Sequence, residues 1–395
     1  MNFVYLKSRK DKPVRHHHPW VFSGAVGKIE GSVKPGEVVG VKDANGGFLA
    51  WGYYNPHSQI VIRLLEWQEK SPVDEDWWRN KLAASVARRG QLLAGKETDS
   101  FRLVHGEADF LPGLVVDKYG DFLAVQSQTA GIDRVKTMIA DALNEILKPA
   151  GIYERSDLTA RKLEGLGQSS GLLCGIQPPD LLETRESGFR FLVNLQHGQK
   201  TGFYLDQREN RQIVASFARG KTVLDTFCYS GAFGIHALAA GATSVLSIDS
   251  SPASLELLKK NYAINGFNTT AAELIQGDVF ESIRNLRDQN RTFDMLILDP
   301  PKLAPTKSQA AKALRAYKDL NLIAMQILNA DGILATCSCS SGVAIETFQQ
   351  MVAWAATDAG REVQILRRLS QGEDHPVRLA FPESQYLKGL VCRVL

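Results

Sequence analysis

The sequence predicts an α/β fold. A doubly wound, Rossmann-like parallel sheet occupies residues 188–395, preceded by a β-barrel over 1–72 and a central α+β module over 73–187. Three observations carry this. Over the second half of the chain, short apolar β-rich runs alternate with stretches of helical spacing, which is the pattern of a parallel sheet covered by helices on both faces. The first 72 residues show only β-rich runs broken by turn residues. Between them, apolar residues switch abruptly to helical spacing at DEDWWRNKLAASVARRGQLLAG.

In the first segment VVGVKD, FLAWGYYN and IVIRLL read as strands, punctuated by turns at PGE, NGG and NPHS. In the second, the DEDWW helix leads into FRLVHGEADFLPGLVVDKYGDFLAVQSQ, read as strands joined by turns at LPG and YGD. DRVKTMIADALNEIL then reads as a helix, and IYERSD and FRFLVNL as closing strands. In the third, the strands are TVLDTF, SVLSID, AELIQGD, DMLILDP, GILATCS, EVQILRR and LKGLVCRVL. Helical stretches such as PASLELLKKNYAING and LRAYKDLNLIAMQILN separate them. Ligands of such sheets bind beyond the carboxyl ends of the strands, so the chemistry is expected there.

Composition narrows the class. With 395 residues, 44% hydrophobic and 23% charged, the chain reads as a multidomain globular protein. No apolar run approaches the roughly 18 residues of a membrane helix, and MNFVYLKSRKDK turns basic before an apolar core develops, unlike a secretory signal. A cytoplasmic location is the expectation. Five cysteines form an odd, sparse set that argues for free thiols rather than a disulfide framework. The net charge is +3, but it is unevenly placed. Lys7, Arg9, Lys10, Lys12 and Arg15 cluster near the start, and Lys302, Lys307, Lys312, Arg315 and Lys318 lie in a stretch without acids. Such patches suit phosphate contacts, and equally suit solvated surfaces. The run His16-His17-His18 has no Cys or carboxylate spacing to make a metal site, and no metal is expected.

The first strand of the alternating segment ends in LDTFCYSGAFG, where Asp225 precedes a turn holding Phe227, Gly231 and Gly234. Glycine permits close approach of a ligand to the backbone, and the following helix start offers free N–H groups. The spacing is not GxGxxG, which lowers a dinucleotide reading. Asp249 ends the second strand, 18 residues after Gly231, where an acid can accept from two ribose hydroxyls. Asp278 ends the third and could accept from an adenine amino group. Asp225 and Asp278 could instead be helix N-caps. Together they mark a nucleoside-containing ligand rather than a particular one.

The fourth strand delivers Asp299-Pro300-Pro301-Lys302, in which two prolines fix the backbone at the sheet's lip. Asp-Pro-Pro after a fourth strand suits methyl transfer to a nucleobase nitrogen or to cytosine. The fifth strand ends in ATCSCSSG. Carbon 5 of cytosine takes a methyl group only after a thiolate adds at carbon 6, so that chemistry needs a cysteine beside the base and an acid on its polar edge. Cys339 and Asp299 stand where those groups are needed. Cys337 lies two residues earlier, on the same face if the strand continues through both. A buried structural thiol is the commoner fate of a single cysteine. Cys339 is preferred because it lies further out.

Long motifs then resemble a known family: HPWVFSGAV (18–26), LPGLVVDKYG (111–120), YERSD (153–157), QHGQKTGFYLDQR (196–208), FCYSGAFG (227–234), DPPK (299–302), Tyr317-Lys318-Asp319, SCS (338–340), DHP (374–376) and YLKGLVCRVL (386–395). Over essentially the whole chain it resembles the ribosomal RNA large subunit methyltransferase I family. The resemblance implies an N-terminal PUA domain, a central β-β-α-β-β domain and a C-terminal class I methyltransferase domain. It further implies S-adenosylmethionine as cofactor and 23S ribosomal RNA as partner, methylated at carbon 5 of a cytosine through Cys339. Tyr204, Asp206 and Arg208 would close over the cofactor, whereas from spacing alone Arg208 reads as a surface charge at a helix start. RNA contacts are expected at Arg15, Lys302, Lys307, Arg315 and Lys318, with no membrane association, and a homodimer stays open. The rival readings are a methyltransferase acting on an exocyclic base nitrogen, a non-catalytic RNA-binding assembly factor and, more distantly, an NAD-linked dehydrogenase.

Overall fold

The computed structural model describes residues 2–157, 159–267, 272–303 and 309–395. The chain forms two compact units. The first takes the chain up to Gly188, then Val193–Leu205 and Glu373–Ser384; the second takes Phe189–Leu192, Asp206–Gly372 and Gln385–Leu395. The run FRFLVNL therefore belongs partly to each.

The first unit holds two sheets. One has six strands in the spatial order Trp20–Phe22, Ile60–Glu66, Phe48–Tyr54, Val38–Lys42, Phe3–Leu6, Val26–Glu30. Three of these are the expected runs. The three strands before residue 31 are additional, because alternation over only three to five residues, as in half-buried Phe3 and Tyr5 against buried Val4 and Leu6, is too short to read in a basic segment. The other sheet has five strands, Ser100–His105, Leu114–Tyr119, Phe122–Ser127, Gly151–Ser156 and Ser169–Gly175, adjacent in chain order. Helices Glu75–Leu93 and Ala130–Leu147 cover it, capped by the Asp74 and Thr129 side chains. Arg63 of the first sheet pairs at 2.9 Å with both Glu107 and Glu164, which lie on connections between strands of the second.

The second unit holds the seven-stranded sheet: β1 (Thr222–Thr226), β2 (Ser244–Asp249), β3 (Ala272–Gln276), β4 (Phe293–Leu298), β5 (Leu328–Ser338), β6 (Val363–Ser370) and β7 (Lys388–Val394). The spatial order is β3-β2-β1-β4-β5-β7-β6. Strands β1 to β5 pair in parallel, so their carboxyl ends share one edge, and β7 runs antiparallel to both neighbours. The helices are α1 (Arg208–Ala215), α2 (Ala232–Ala239), α3 (Pro252–Ile264), α4 (Val279–Asp288), α5 (Ala310–Gln326) and α6 (Ile345–Ala359).

Alternate strand residues feed opposite faces, as the pleat requires. Leu224, Leu246, Leu296, Leu298 and Leu334 pack with Ile283 of α4, Tyr317 and Leu320 of α5, and Phe348 and Met351 of α6. Val223, Val245, Met295, Ile297, Ile333 and Cys337 pack on the other face with Val214 of α1 and Phe233 and Ala237 of α2. These strands are buried on both faces, which is why they read as continuous apolar runs. Among the described residues no helix is long and apolar enough to cross a membrane.

Candidate cofactor and catalytic site at the strand ends

Because β1 to β5 are parallel, one sheet edge collects the residues that follow them: Asp225 within the end of β1, Asp249 at the end of β2, Asp278 after β3, Asp299 after β4 and Cys339 after β5.

Asp225 is 1% exposed. Its Oδ2 accepts the Gly234 N–H of α2 at 3.1 Å, while Oδ1 has no hydrogen-bond partner among the described residues. Burial pushes the carboxyl up to about 8, with Asp299 and Asp249 adding to the effect and the Gly234 N–H opposing it. A buried carboxyl with one oxygen unpartnered is costly unless a ligand supplies a donor or a positive charge.

The turn after β1 holds two non-glycine residues in the left-handed region, Phe227 (φ 55) and Tyr229 (φ 47), before Gly231 (φ 79). Such conformations persist where surrounding contacts over-determine them. The Tyr229 N–H donates to Asp249 at 2.9 Å, the Ser251 N–H donates to its other oxygen at 2.8 Å, and Asn261 of α3 donates to the Ser230 carbonyl at 3.0 Å. The glycines here serve packing. A Cβ at Gly231 would lie 2.6 Å from Leu258, and one at Gly234 would lie 2.1 Å from the Tyr262 hydroxyl, both partners lying on α3. At Gly231, helix packing and a positive φ already require glycine, whatever approaches the backbone there.

Asp278 is exposed and caps α4, accepting the Glu281 N–H at 3.1 Å. Phe280, two residues further on, meets Phe227 edge to face, 6.4 Å between centroids.

Beyond β4, Asp299 accepts from Gln207 Nε2 at 2.9 Å, and Gln207 is held in turn by Asn210, which donates to its Oε1 at 2.6 Å and to the Ser370 carbonyl at 2.9 Å. Asp206 is buried and accepts from the Tyr386 hydroxyl at 2.7 Å. Arg208 opens α1 but is 1% exposed, with Glu209 accepting two of its N–H groups, so the surface-charge reading from spacing is wrong. Tyr204 lies in the first unit, half-buried, donating to Gln199.

The strand β5 stops at Ser338. Cys337 is therefore a core residue whose thiol burial pushes well above its ordinary range, and a Cβ at Gly389 would come 2.8 Å from its sulfur. Cys339 lies just past the strand and is half-buried. The condition for the two thiols to share a strand face is not met. Both serines around Cys339 are fixed by one phenol: Ser338 Oγ donates to the Tyr317 hydroxyl at 2.9 Å, and Tyr317 and Ser340 hydroxyls share a hydrogen bond at 3.1 Å. From β7, Lys388 Nζ donates to the Ser340 and Val343 carbonyls, each at 2.6 Å.

The expected RNA residues are scattered. Lys302 and Arg315 are exposed, and Lys318 pairs with Asp358 at 2.6 Å, an acid the local stretch does not contain. Arg15, in the first unit, pairs with Asp11 and Asp43, both at 2.6 Å, so its charge is compensated. Lys307 lies outside the described residues. Gln207, Tyr317, Tyr386 and Lys388 stand in the sequence only as parts of motifs, with no role assigned; contacts with Asp299, Ser338, Asp206 and Ser340, distant in the chain, give them one.

Residues 168–376 match the model of the S-adenosylmethionine-dependent methyltransferase family, and residues 4–67 that of a PUA-like domain. With the sheet order and the strand-end acids, this defines the class: an S-adenosylmethionine-dependent methyltransferase. Whole-chain relatives narrow it. The ribosomal RNA large subunit methyltransferase I of Photobacterium profundum is 44% identical over 393 residues and that of Erwinia tasmaniensis 42% over 392, each covering 99% of both chains. The chain belongs to the ribosomal RNA large subunit methyltransferase I family. A solved structure of a proposed methyltransferase complexed with SAH shares the fold, with a TM-score of 0.86 at 23% identity over 100% of both chains.

The cofactor is S-adenosylmethionine, and the residues fit it. The unpartnered Asp225 oxygen offers an acceptor to a cationic ligand, and Asp249, Asp278, Phe227 and Phe280 offer acceptors and aromatic surface to a nucleoside.

Proposed function

We propose that the chain transfers the methyl group of S-adenosylmethionine to carbon 5 of a cytosine in 23S ribosomal RNA, through a covalent adduct with Cys339. The relatives' names supply the ribosomal RNA; the chain's own residues support the chemistry. The observation that carries the reading is the setting of Cys339: half-buried rather than core, just past β5, with both neighbouring serines hydrogen-bonded to Tyr317. Asp299 follows the adjacent strand, where Leu298 pairs with Thr336.

In this reading, Asp225, Phe227, Gly231, Asp249, Asp278 and Asp299 surround the cofactor, with Tyr204, Asp206 and Arg208 on the segment that closes over it. When bound, S-adenosylmethionine supplies an activated methyl group on a sulfonium. The Cys339 thiolate adds to carbon 6 of cytosine, and Asp299, held by Gln207, hydrogen-bonds the base's polar edge. Once carbon 5 has taken the methyl group and lost its proton, the thiolate leaves. The base must be unstacked for the thiol to reach it. Lys302, Lys307, Arg315 and Lys318, with Arg15 of the PUA-like segment, contact RNA phosphates. The three-part division at 72 and 187 assigns RNA docking to the first segment and chemistry to the last.

The test is methylation of 23S ribosomal RNA lacking this modification, mapped by mass spectrometry. The expected product is 5-methylcytosine, formed by the wild-type chain and by Cys337→Ala but not by Cys339→Ala. Methylation of an exocyclic nitrogen, with Cys339→Ala turning over normally, would establish the rival chemistry.

A further inference from the structure

Lys388 is a buried lysine, 6% exposed, at the first position of β7. In the β5–β7 ladder it pairs with Ser338, the residue before Cys339. An ammonium carries three donors. Two go to the Ser340 and Val343 carbonyls, on the loop that carries Cys339 away from the strand. The ammonium makes no further hydrogen bond among the described residues, which leaves one donor. The charge that interacts favourably with this ammonium is that of Cys339.

We propose that Lys388 is a positioning residue for the thiol: it ties down the loop bearing Cys339 and places a buried positive charge that favours the Cys339 thiolate. The inference rests on the reading of Cys339 as nucleophile for its catalytic meaning, but the electrostatic claim stands independently.

The surroundings agree with a coupled pair. Burial lowers Lys388 to about 8, the nearby charge of Lys302 lowers it too, and Cys339 opposes both. Among the described residues, the titratable and charged groups that interact with one or other of the pair include Lys302 after β4, Tyr317 on α5 and Cys337 in β5, itself beside Asp299. Burial raises Tyr317, and Cys339 adds to that; both phenol and core thiol therefore stay neutral, and neither stabilises an anion by charge. Where two ionisable groups interact strongly, their protons titrate as a property of the pair. A buried lysine with two carbonyl partners and no carboxylate among its interacting groups gains most from an adjacent anion.

The experiment measures the rate at which iodoacetamide alkylates Cys339 as a function of pH, read on the Cys339 peptide by mass spectrometry in the full-length chain without RNA. Half-exposed Cys174, in the first unit, serves as the internal control. In Lys388→Met the Cys339 profile should move to higher pH by about one unit or more, a loss of about tenfold at pH 7, with Cys174 unchanged. Lys388→Arg, which keeps the charge, should recover most of the rate. Methylation by Lys388→Met should fall in kcat rather than KM, and recover in part as pH rises. A Lys388→Met profile that superimposes on wild type, or an Arg variant as slow as Met, overturns the proposal. If the profile moves as expected while Cys339→Ala still methylates RNA, the electrostatic inference stands and the nucleophile reading falls.

Discussion

Replacing Asp225 by Asn separates stability from cofactor binding in a way few substitutions do. The carboxyl is 1% exposed, with one oxygen on the Gly234 N–H and the other unpartnered. Burial holds it up at about 8, far above the ordinary carboxylate range. The folded chain thus binds this proton more tightly than the unfolded chain. The stability it contributes is fully present below the unfolded value and is lost as pH rises toward 8. Each tenfold in proton affinity is worth about 1.4 kcal/mol, so between pH 5 and pH 8 the wild-type chain should lose about 3–4 kcal/mol through this group alone, an order-of-magnitude figure. Asn keeps the bond to Gly234 and cannot ionise. Without cofactor, Asp225→Asn should match wild type within about 1 kcal/mol at pH 5 and exceed it by about 2–4 kcal/mol at pH 8. Urea unfolding at the two pH values measures this, and comparing variant with wild type cancels the other titrations. Calorimetry should show S-adenosylmethionine binding weakened at least tenfold in the variant. A variant destabilised equally at both pH values would refute the account of Asp225 as a strained, ligand-awaiting acid.

Three further outcomes follow from particular contacts. Gly234→Ala places a methyl 2.1 Å from the Tyr262 hydroxyl and should cost about 1–3 kcal/mol; adding Tyr262→Phe should recover part of it, read by thermal unfolding. Gln207→Leu removes the donor to Asp299 and should lower kcat by about tenfold or more, the cost of losing a hydrogen bond to a charged group, with S-adenosylmethionine binding within a few-fold of wild type. His236 is buried and held down to about 3, mainly by burial and secondarily by Arg211. Because its folded value lies below the unfolded one, its contribution is present above about pH 6.5 and lost as pH falls toward 3, so His236→Phe should flatten the acid limb of the stability profile.

The alternating half of the chain was legible because strands buried on both faces announce themselves as apolar runs, and parallel pairing then puts every strand-end residue on one edge. Asp225, Asp249, Asp278, Asp299 and Cys339 follow from that rule. What it could not give is who holds them. Gln207 reaches Asp299 across 92 residues and Lys388 reaches Ser340 across 48, and neither separation leaves a local pattern. Gly231 and Gly234 were visible as glycines, but the α3 side chains packed against them lie 27 to 31 positions later. The run GILATCS already ends the fifth strand at Ser338, where β5 stops; what it leaves open is the setting of the two thiols, Cys337 buried and Cys339 half-buried.

A thiol mechanism requires that Cys339 become bonded to a cytosine. A 23S ribosomal RNA fragment carrying 5-fluorocytidine blocks loss of the group at carbon 5, so the thiol adduct persists after methyl transfer. With S-adenosylmethionine present, the wild-type chain and Cys337→Ala should form a denaturation-resistant RNA complex attached at the Cys339 peptide, and Cys339→Ala should form none. An RNA fragment that is methylated without any covalent complex, or a complex mapped to another residue, would contradict it.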